Sequence, residues 1–231
     1  MTLPLVLVPG MMCDARLYGP QIAAFSGART LHLATIAGHD SVADLAHAIL
    51  LAAPLQFALA GLSMGGIVAM EMLAQAPARI ERLALLDTNP EAEADTVAER
   101  RRPQIARVQQ GELRAVFRDE MKPHYLADGP RRQDILDLCM EMALGLGPDV
   151  FVRQSRALMT RRDRQSTLAA VRVPTLVLCG EDDVLCPRHR HDLMHRLIPG
   201  SRLEVIAGAG HLPTLEQPEA TNAALARWLE E

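Results

Sequence analysis

Two kinds of apolar pattern alternate along the chain. Short runs, apolar nearly throughout and of strand length, occupy Leu3–Val8, Thr30–Ala34, Phe57–Ala60, Arg82–Leu86, Thr175–Cys179 and Arg202–Ile206. Between them, apolar residues recur at helical spacing near Ser41–Ala52, Met64–Gln75, Pro187–Leu197 and Pro218–Leu229. Continuous apolar strands alternating with amphipathic helices predict an α/β fold with a mostly parallel sheet of about six strands, covered on both faces. The alternation stops after Asp87. From Thr88 to about Thr167 only helix-like segments occur, separated by Gly111, Gly129-Pro130 and Gly147-Pro148. The chain therefore divides into an α/β core, 1–87 and 168–231, and an inserted helical segment, 88–167. The polar start of that insertion, Glu91 to Arg102, reads as a solvated helix face. Its later apolar residues, among them Met121, Tyr125, Leu138, Met140, Met142, Phe151 and Leu158, read mainly as packing onto the core.

Composition narrows the picture without changing it. A chain of 231 residues with 49% hydrophobic and 23% charged content fits one globular domain with a sizeable core. A net charge of −4 supplies no basic field for nucleic acid. No apolar run approaches a bilayer-spanning length, and the apolar start reads as a strand, with Pro4 at a position strands tolerate. The four cysteines (Cys13, Cys139, Cys179, Cys186) show no framework spacing, so the expectation is a cytoplasmic protein with free thiols and no membrane association. Homodimerisation is left open, because no segment marks an interface.

The chemistry concentrates where strands end. Gly61-Leu62-Ser63-Met64-Gly65-Gly66 lies between an apolar strand and a helical stretch, the context a nucleophile elbow requires. A serine there opens a helix, so the N–H of its neighbour faces any negative charge that develops. A serine hydroxyl is a poor nucleophile near neutral pH and needs a base, which in turn needs an orienting acid. His211 follows the run Leu203–Ile206 within Gly208-Ala209-Gly210-His211-Leu212-Pro213. Glu181, Asp182 and Asp183 follow the strand that ends at Cys179, and Asp87 follows Leu86. Ser, acid, His is a chain order that Ser-His-Asp chemistry adopts on α/β sheets.

These motifs, spread from Leu3 to the C-terminal region, resemble the α/β-hydrolase superfamily, in its branch of small enzymes with a helical cap. The resemblance implies that the acid sits in Gly-x-x-Asp-x-x-x-Pro, matched here by Gly180, Asp183 and Pro187, which favours Asp183 over Asp182 and Glu181. Asp87 stays open as the rival, since some members carry the acid after the earlier strand. It also implies an oxyanion hole from the N–H groups of Met11 and Met64, the first of these following Pro9-Gly10 where many relatives have His-Gly. Losing one such donor typically costs about 100- to 1,000-fold in rate. Gly10, Met12, His124, Tyr125 and Leu212 are the expected substrate contacts, and the insertion is the expected cap over the serine.

The resemblance implies a serine hydrolase acting on a small-molecule carboxylic ester or similar acyl bond through an acyl-enzyme on Ser63. No cofactor and no metal is expected. Enol-lactone hydrolysis, thioester hydrolysis and carbon–carbon bond hydrolysis are the alternatives within the family; an enol lactone is anionic and would call for a nearby arginine such as Arg153, Arg156, Arg161 or Arg162. A non-catalytic ligand-binding protein of the same fold is the alternative of another class. His189, His191 and His195 lie on one predicted helix, but the interleaved arginines and the lack of a further ligand read as a solvated face.

Overall fold

The computed structural model describes residues 2–230. Six strands form one sheet: β1 (Leu5–Val8), β2 (Leu31–Leu33), β3 (Phe57–Leu62), β4 (Ile80–Leu86), β5 (Thr175–Gly180) and β6 (Arg202–Ile206). Their order is β2-β1-β3-β4-β5-β6 and every pairing is parallel. All six apolar runs became strands. The sheet is parallel throughout rather than mostly so.

Burial explains why those runs are nearly unbroken. Every residue of β1, β3 and β5 is buried, as expected of strands with helices over both faces, whereas the edge strands β2 and β6 are partly exposed. Among the described residues eleven α-helices accompany them: α1 (Gly19–Phe25), α2 (Val42–Ala52), α3 (Met64–Gln75), α4 (Asp95–Gln109), α5 (Leu113–Val116), α6 (Arg132–Leu146), α7 (Pro148–Met159), α8 (Gln165–Ala169), α9 (Arg188–Leu197), α10 (Pro213–Glu216) and α11 (Pro218–Glu230). Helix α1 packs with α11, while α2, α3, α8 and α9 form a second packed group. Helix α1 escaped the sequence pattern; its short span starts with Gly19-Pro20, a proline suited to a first turn.

The segment between β4 and β5 contains no strand. It runs through α4, α5, a π turn at Phe117–Met121, a short 3-10 turn at Lys122–His124, then α6, α7 and α8. Helix α8 behaves differently from the rest: it packs on α3 and α9, and Arg164 just before it pairs with the buried Glu71 of α3. All four cysteines are buried free thiols. Among the described residues no helix is long and apolar enough to cross a membrane.

Strand order places the site. The chain turns from β1 outward to β2, then returns to the other side of β1 as β3, so the direction of winding reverses between β1 and β3. Helices leave the sheet on opposite faces at such a point, opening a crevice at the carboxyl ends of the strands. Met11 follows β1 there, and Ser63 follows β3.

Candidate active site

Ser63 lies between β3 and α3 with φ 55° and ψ −117°, a backbone conformation that side chains rarely adopt. The turn is packed too closely for side chains at its flanking glycines. A Cβ on Gly61 would run into the backbone of Gly65, and one on Gly65 into the carbonyl of Val8. The Ser63 N–H donates to Leu86 O at 2.9 Å, and the Thr88 hydroxyl donates to Ser63 O at 2.7 Å, fastening the turn to the end of β4.

The loops after β5 and β6 bring their groups to this turn. His211 Nε2 lies 2.8 Å from Ser63 Oγ, and His211 Nδ1 lies 2.8 Å from Asp183 Oδ2. The other oxygen of Asp183 accepts from the N–H groups of Leu185 at 2.8 Å and Cys186 at 3.0 Å. Burial alone would raise the Asp183 pKa, but the adjacent imidazole and these hydrogen bonds outweigh it and hold the carboxyl at about 2. An ionised carboxylate only accepts, so Nδ1 carries the imidazole proton and Nε2 is free to receive the Ser63 O–H.

The rival acids sit elsewhere. Asp87 is fully buried at φ 43°, and its Oδ1 accepts from Gly180 N–H at 2.8 Å. Burial first, and then the charge of Asp183, push its pKa well above the usual carboxylate range. It stands beside Asp183 and makes no hydrogen bond to the imidazole. Asp182 is exposed, and only its backbone is engaged, donating to Ala209 O at 2.9 Å.

Met11 follows Gly10, where an added Cβ would lie 3.5 Å from Ser63 Cβ, so the loop after β1 borders the serine. Among the described residues no hydrogen bond engages the N–H of Met11 or Met64. The next residue is fixed instead. Met12 holds φ 55°, and its N–H donates to Gln154 Oε1 at 2.8 Å, while Gln154 Nε2 donates to Ile36 O at 3.1 Å. Gln154 comes from α7 and is fully buried. Met12 is equally buried and lines no part of the cavity, which departs from its expected place as a substrate contact.

A cavity of about 560 Å³ opens over Ser63. Gly10, Met11, Met64, His211 and Leu212 form its floor, and Met121, His124, Tyr125 and Leu158 of the helical segment face them. The Tyr125 carbonyl also accepts from the His211 N–H at 2.7 Å, and its ring centroid lies 6.2 Å from that of the imidazole. Val184 and Leu185, beside Asp183, are exposed at the cavity edge.

Two further sequence readings need correction. The stretch from Glu91 to Arg102 is not simply a solvated face, because Glu93, Val97, Arg100 and Arg101 line the cavity and the Glu93 side chain is only 5% exposed. His191 is fully buried rather than solvated; its Nε2 accepts from Thr88 N–H at 3.2 Å, and burial lowers its pKa to about 4. Of the arginines considered for an anionic substrate, Arg161 lines the cavity, whereas Arg153 donates to Ala37 O and Arg156 faces Asp40. Glu216 went unnoticed in the sequence. It accepts from the N–H groups of Ala127, Gly210 and Leu212 at 2.8 to 2.9 Å. Gln154 was missed likewise, for it is one of several polar residues of α7 and carries no mark of its partner.

Asp183, Cys186 and His211 also place potential ligand atoms within 4.8 Å of one another. The Cys186 thiol is pushed up by burial and stays protonated, and the other two groups already bond each other, so the donor set fits a proton relay better than a metal.

The model of the Alpha/beta hydrolase family matches residues 5–224. The pimeloyl-[acyl-carrier protein] methyl ester esterase of Edwardsiella ictaluri is 26% identical over 239 residues, covering 98% of this chain and 93% of the relative. A thermophilic esterase from Thermogutta terrifontis, solved with malate bound, superposes with a TM-score of 0.90 at 28% identity, covering 99% of this chain and 89% of that one. The enol-lactonase from Burkholderia xenovorans LB400 shares the fold, with a TM-score of 0.88 at 20% identity over 100% of this chain and 92% of its own.

Proposed function

The chain belongs to the alpha/beta hydrolase family, and from that premise we propose that it is a serine hydrolase cleaving a carboxylic ester. The observation that carries the reading is the hydrogen-bonded run Ser63–His211–Asp183 at the floor of a cavity. His211 Nε2 takes the hydroxyl proton as Ser63 Oγ attacks the ester carbonyl. Asp183, held ionised, fixes the tautomer and stabilises the imidazolium. The N–H groups of Met11 and Met64 receive the oxyanion, which exists only along the reaction path. The alcohol leaves with the proton from His211. Water, deprotonated by the same histidine, then attacks the acyl carbonyl; collapse of that intermediate expels Ser63 and releases the acid.

We read the helical segment after β4 as a cap that selects the acyl group. Met121, Tyr125 and Leu158 supply its apolar wall, and His124 and Tyr125 its polar contacts. Leu212 completes the floor beside His211. The ester-cleaving activity named for the relatives supports this choice over a ligand-binding protein, as does a free histidine nitrogen aimed at the serine. Four buried free thiols favour a reducing, cytoplasmic setting.

Hydrolysis of a p-nitrophenyl ester series by wild type and Ser63→Ala tests the reading. Turnover by the wild type that vanishes in the variant is expected, and turnover equal in both would refute it.

A further inference from the structure

The cavity is strongly cationic in a protein whose net charge is −4. Arg100, Arg101, Arg161 and Arg190 line it, against Glu93 and Glu120. Both carboxylates are already engaged. Glu93 is shared by Arg101 at 3.2 Å and Arg161 at 3.4 Å, and Glu120 is bound by Arg107, which lies outside the lining. Among the described residues Arg190 forms no ion pair, and its only side-chain hydrogen bond is a long one, 3.5 Å, to Leu185 O.

Among the described residues, buried, unpartnered Nε atoms also occur on Arg29, Arg132 and Arg164, but only Arg161 and Arg190 combine one with a place in the cavity lining. The Arg161 side chain is 8% exposed, yet its Nε is buried without a hydrogen-bond partner. Arg190 Nε is likewise buried and unpartnered. A guanidinium keeps its charge under all ordinary conditions. Glu93 pairs with Arg161, whereas half-buried Arg190 has no carboxylate partner among the described residues, so an anion entering the cavity meets a charged donor that no ion pair neutralises. Arg161 follows α7 and Arg190 lies on α9, yet both face the space that holds Ser63.

Resting on the hydrolase reading above, we propose that the cavity takes esters whose acyl chain ends in a free carboxylate, received by Arg161 and Arg190. The substrate class is then the half-ester of a dicarboxylic acid. One end is cleaved at Ser63 while the other is held as an anion by charge-assisted hydrogen bonds. Glu93 keeps Arg161 in position and leaves the total charge of the lining positive, so the same wall disfavours cationic substrates.

Two arms test this. In the first, kcat/KM is measured for monomethyl adipate and for neutral methyl hexanoate, in wild type, Arg161→Gln, Arg190→Gln and a surface control, Arg188→Gln. The preference for the anionic ester is expected to fall by about 10- to 100-fold in each of the first two variants, as for loss of one charged hydrogen bond, and to hold in the control. In the second arm, adipate binding to Ser63→Ala is followed by calorimetry, alone and combined with either arginine change. Binding should weaken by a similar factor. An unchanged preference in Arg190→Gln, which breaks no ion pair, or adipate that does not bind, overturns the proposal. Failure of every enzyme form to hydrolyse either ester would instead strike at the hydrolase reading, and adipate binding would still decide the carboxylate site.

Discussion

Glu216 holds the backbone on both sides of His211. Its Oε1 accepts from Gly210 N–H at 2.9 Å, and its Oε2 accepts from Leu212 N–H at 2.9 Å. The first oxygen also takes the N–H of Ala127 at 2.8 Å, tying the histidine loop to the segment before α6. Replacing Glu216 with Ala leaves three donors without their acceptor, at about 1–3 kcal/mol for each one that water does not reach. We expect a loss of stability of that order in urea titrations. Glu216→Gln retains one oxygen and should show a lowered kcat with KM changed much less, because the imidazole is displaced while the cavity persists. Equal kcat in both variants and wild type would remove the positioning role.

Asp183→Asn should lower kcat/KM by about 1,000- to 10,000-fold, since an amide no longer holds the imidazole in its working tautomer. Asp87→Asn should cost far less. The raised pKa of Asp87 favours its protonated form, which an uncharged amide resembles, and its Oδ1 can still accept from Gly180 N–H. Steady-state kinetics of the two variants separates the acids, and a larger loss in Asp87→Asn would reassign the role.

The same pair predicts opposite pH trends in stability. The folded-state pKa of Asp183, about 2, lies below the ordinary value of 3.8 for an aspartate. Its contribution is present above the unfolded value and is lost as pH falls from about 4 to about 2. Asp87 has a raised folded-state pKa, so its protonation favours the folded state most at low pH and its penalty grows as pH rises past the unfolded value. Urea midpoints measured across pH should therefore lose an acid-side slope in Asp183→Asn. In Asp87→Asn they should lose a decline on the rising side.

Ser63→Gly should abolish turnover and raise stability by about 1 kcal/mol. Glycine adopts a positive φ without the steric cost that a side chain carries, and the gain is reduced by the greater freedom of glycine in the unfolded chain. Thermal melts of Ser63→Gly and Ser63→Ala side by side isolate the backbone effect, because both lack the hydroxyl. Identical midpoints would mean that the turn holds no strain.

Gln154→Ala should weaken the oxyanion loop at a distance. Met12 N–H and Ile36 O would both lose their partner, and the backbone carrying Met11 would be less firmly placed. A fall in kcat of about 10-fold or more, with KM little changed, is the expected signature of an interaction needed mainly in the transition state. Loss confined to KM would point to a binding role instead.

The sheet and its catalytic loops were legible because local chemistry encodes them. Buried parallel strands must be apolar on both faces, and an elbow must carry small residues around its serine, so both leave marks within a few positions. The helix pair α4 and α7 shows what such marks miss. Arg100, Arg101 and Glu93 have the composition of a solvated face, and only the packing of α4 against α7 brings them to the cavity that holds the serine. Gln154, Glu216 and His191 act through backbone groups far away in sequence. A backbone N–H is the same at every position, so no pattern in the chain announces which side chain will meet it.

The wholly parallel sheet also has a kinetic consequence. No two neighbouring strands are joined by a hairpin, so each pairing has to close a loop long enough to hold a crossover. Bringing β4 beside β5 closes a loop that spans the entire helical insertion. Folding is therefore dominated by contacts distant in sequence and should be slow compared with that of a helical bundle of equal size. Until that loop closes, the apolar edge of β4 stands uncovered. Mutations in the insertion that slow its collapse should thus reveal themselves as aggregation during synthesis, even where the finished enzyme is fully active.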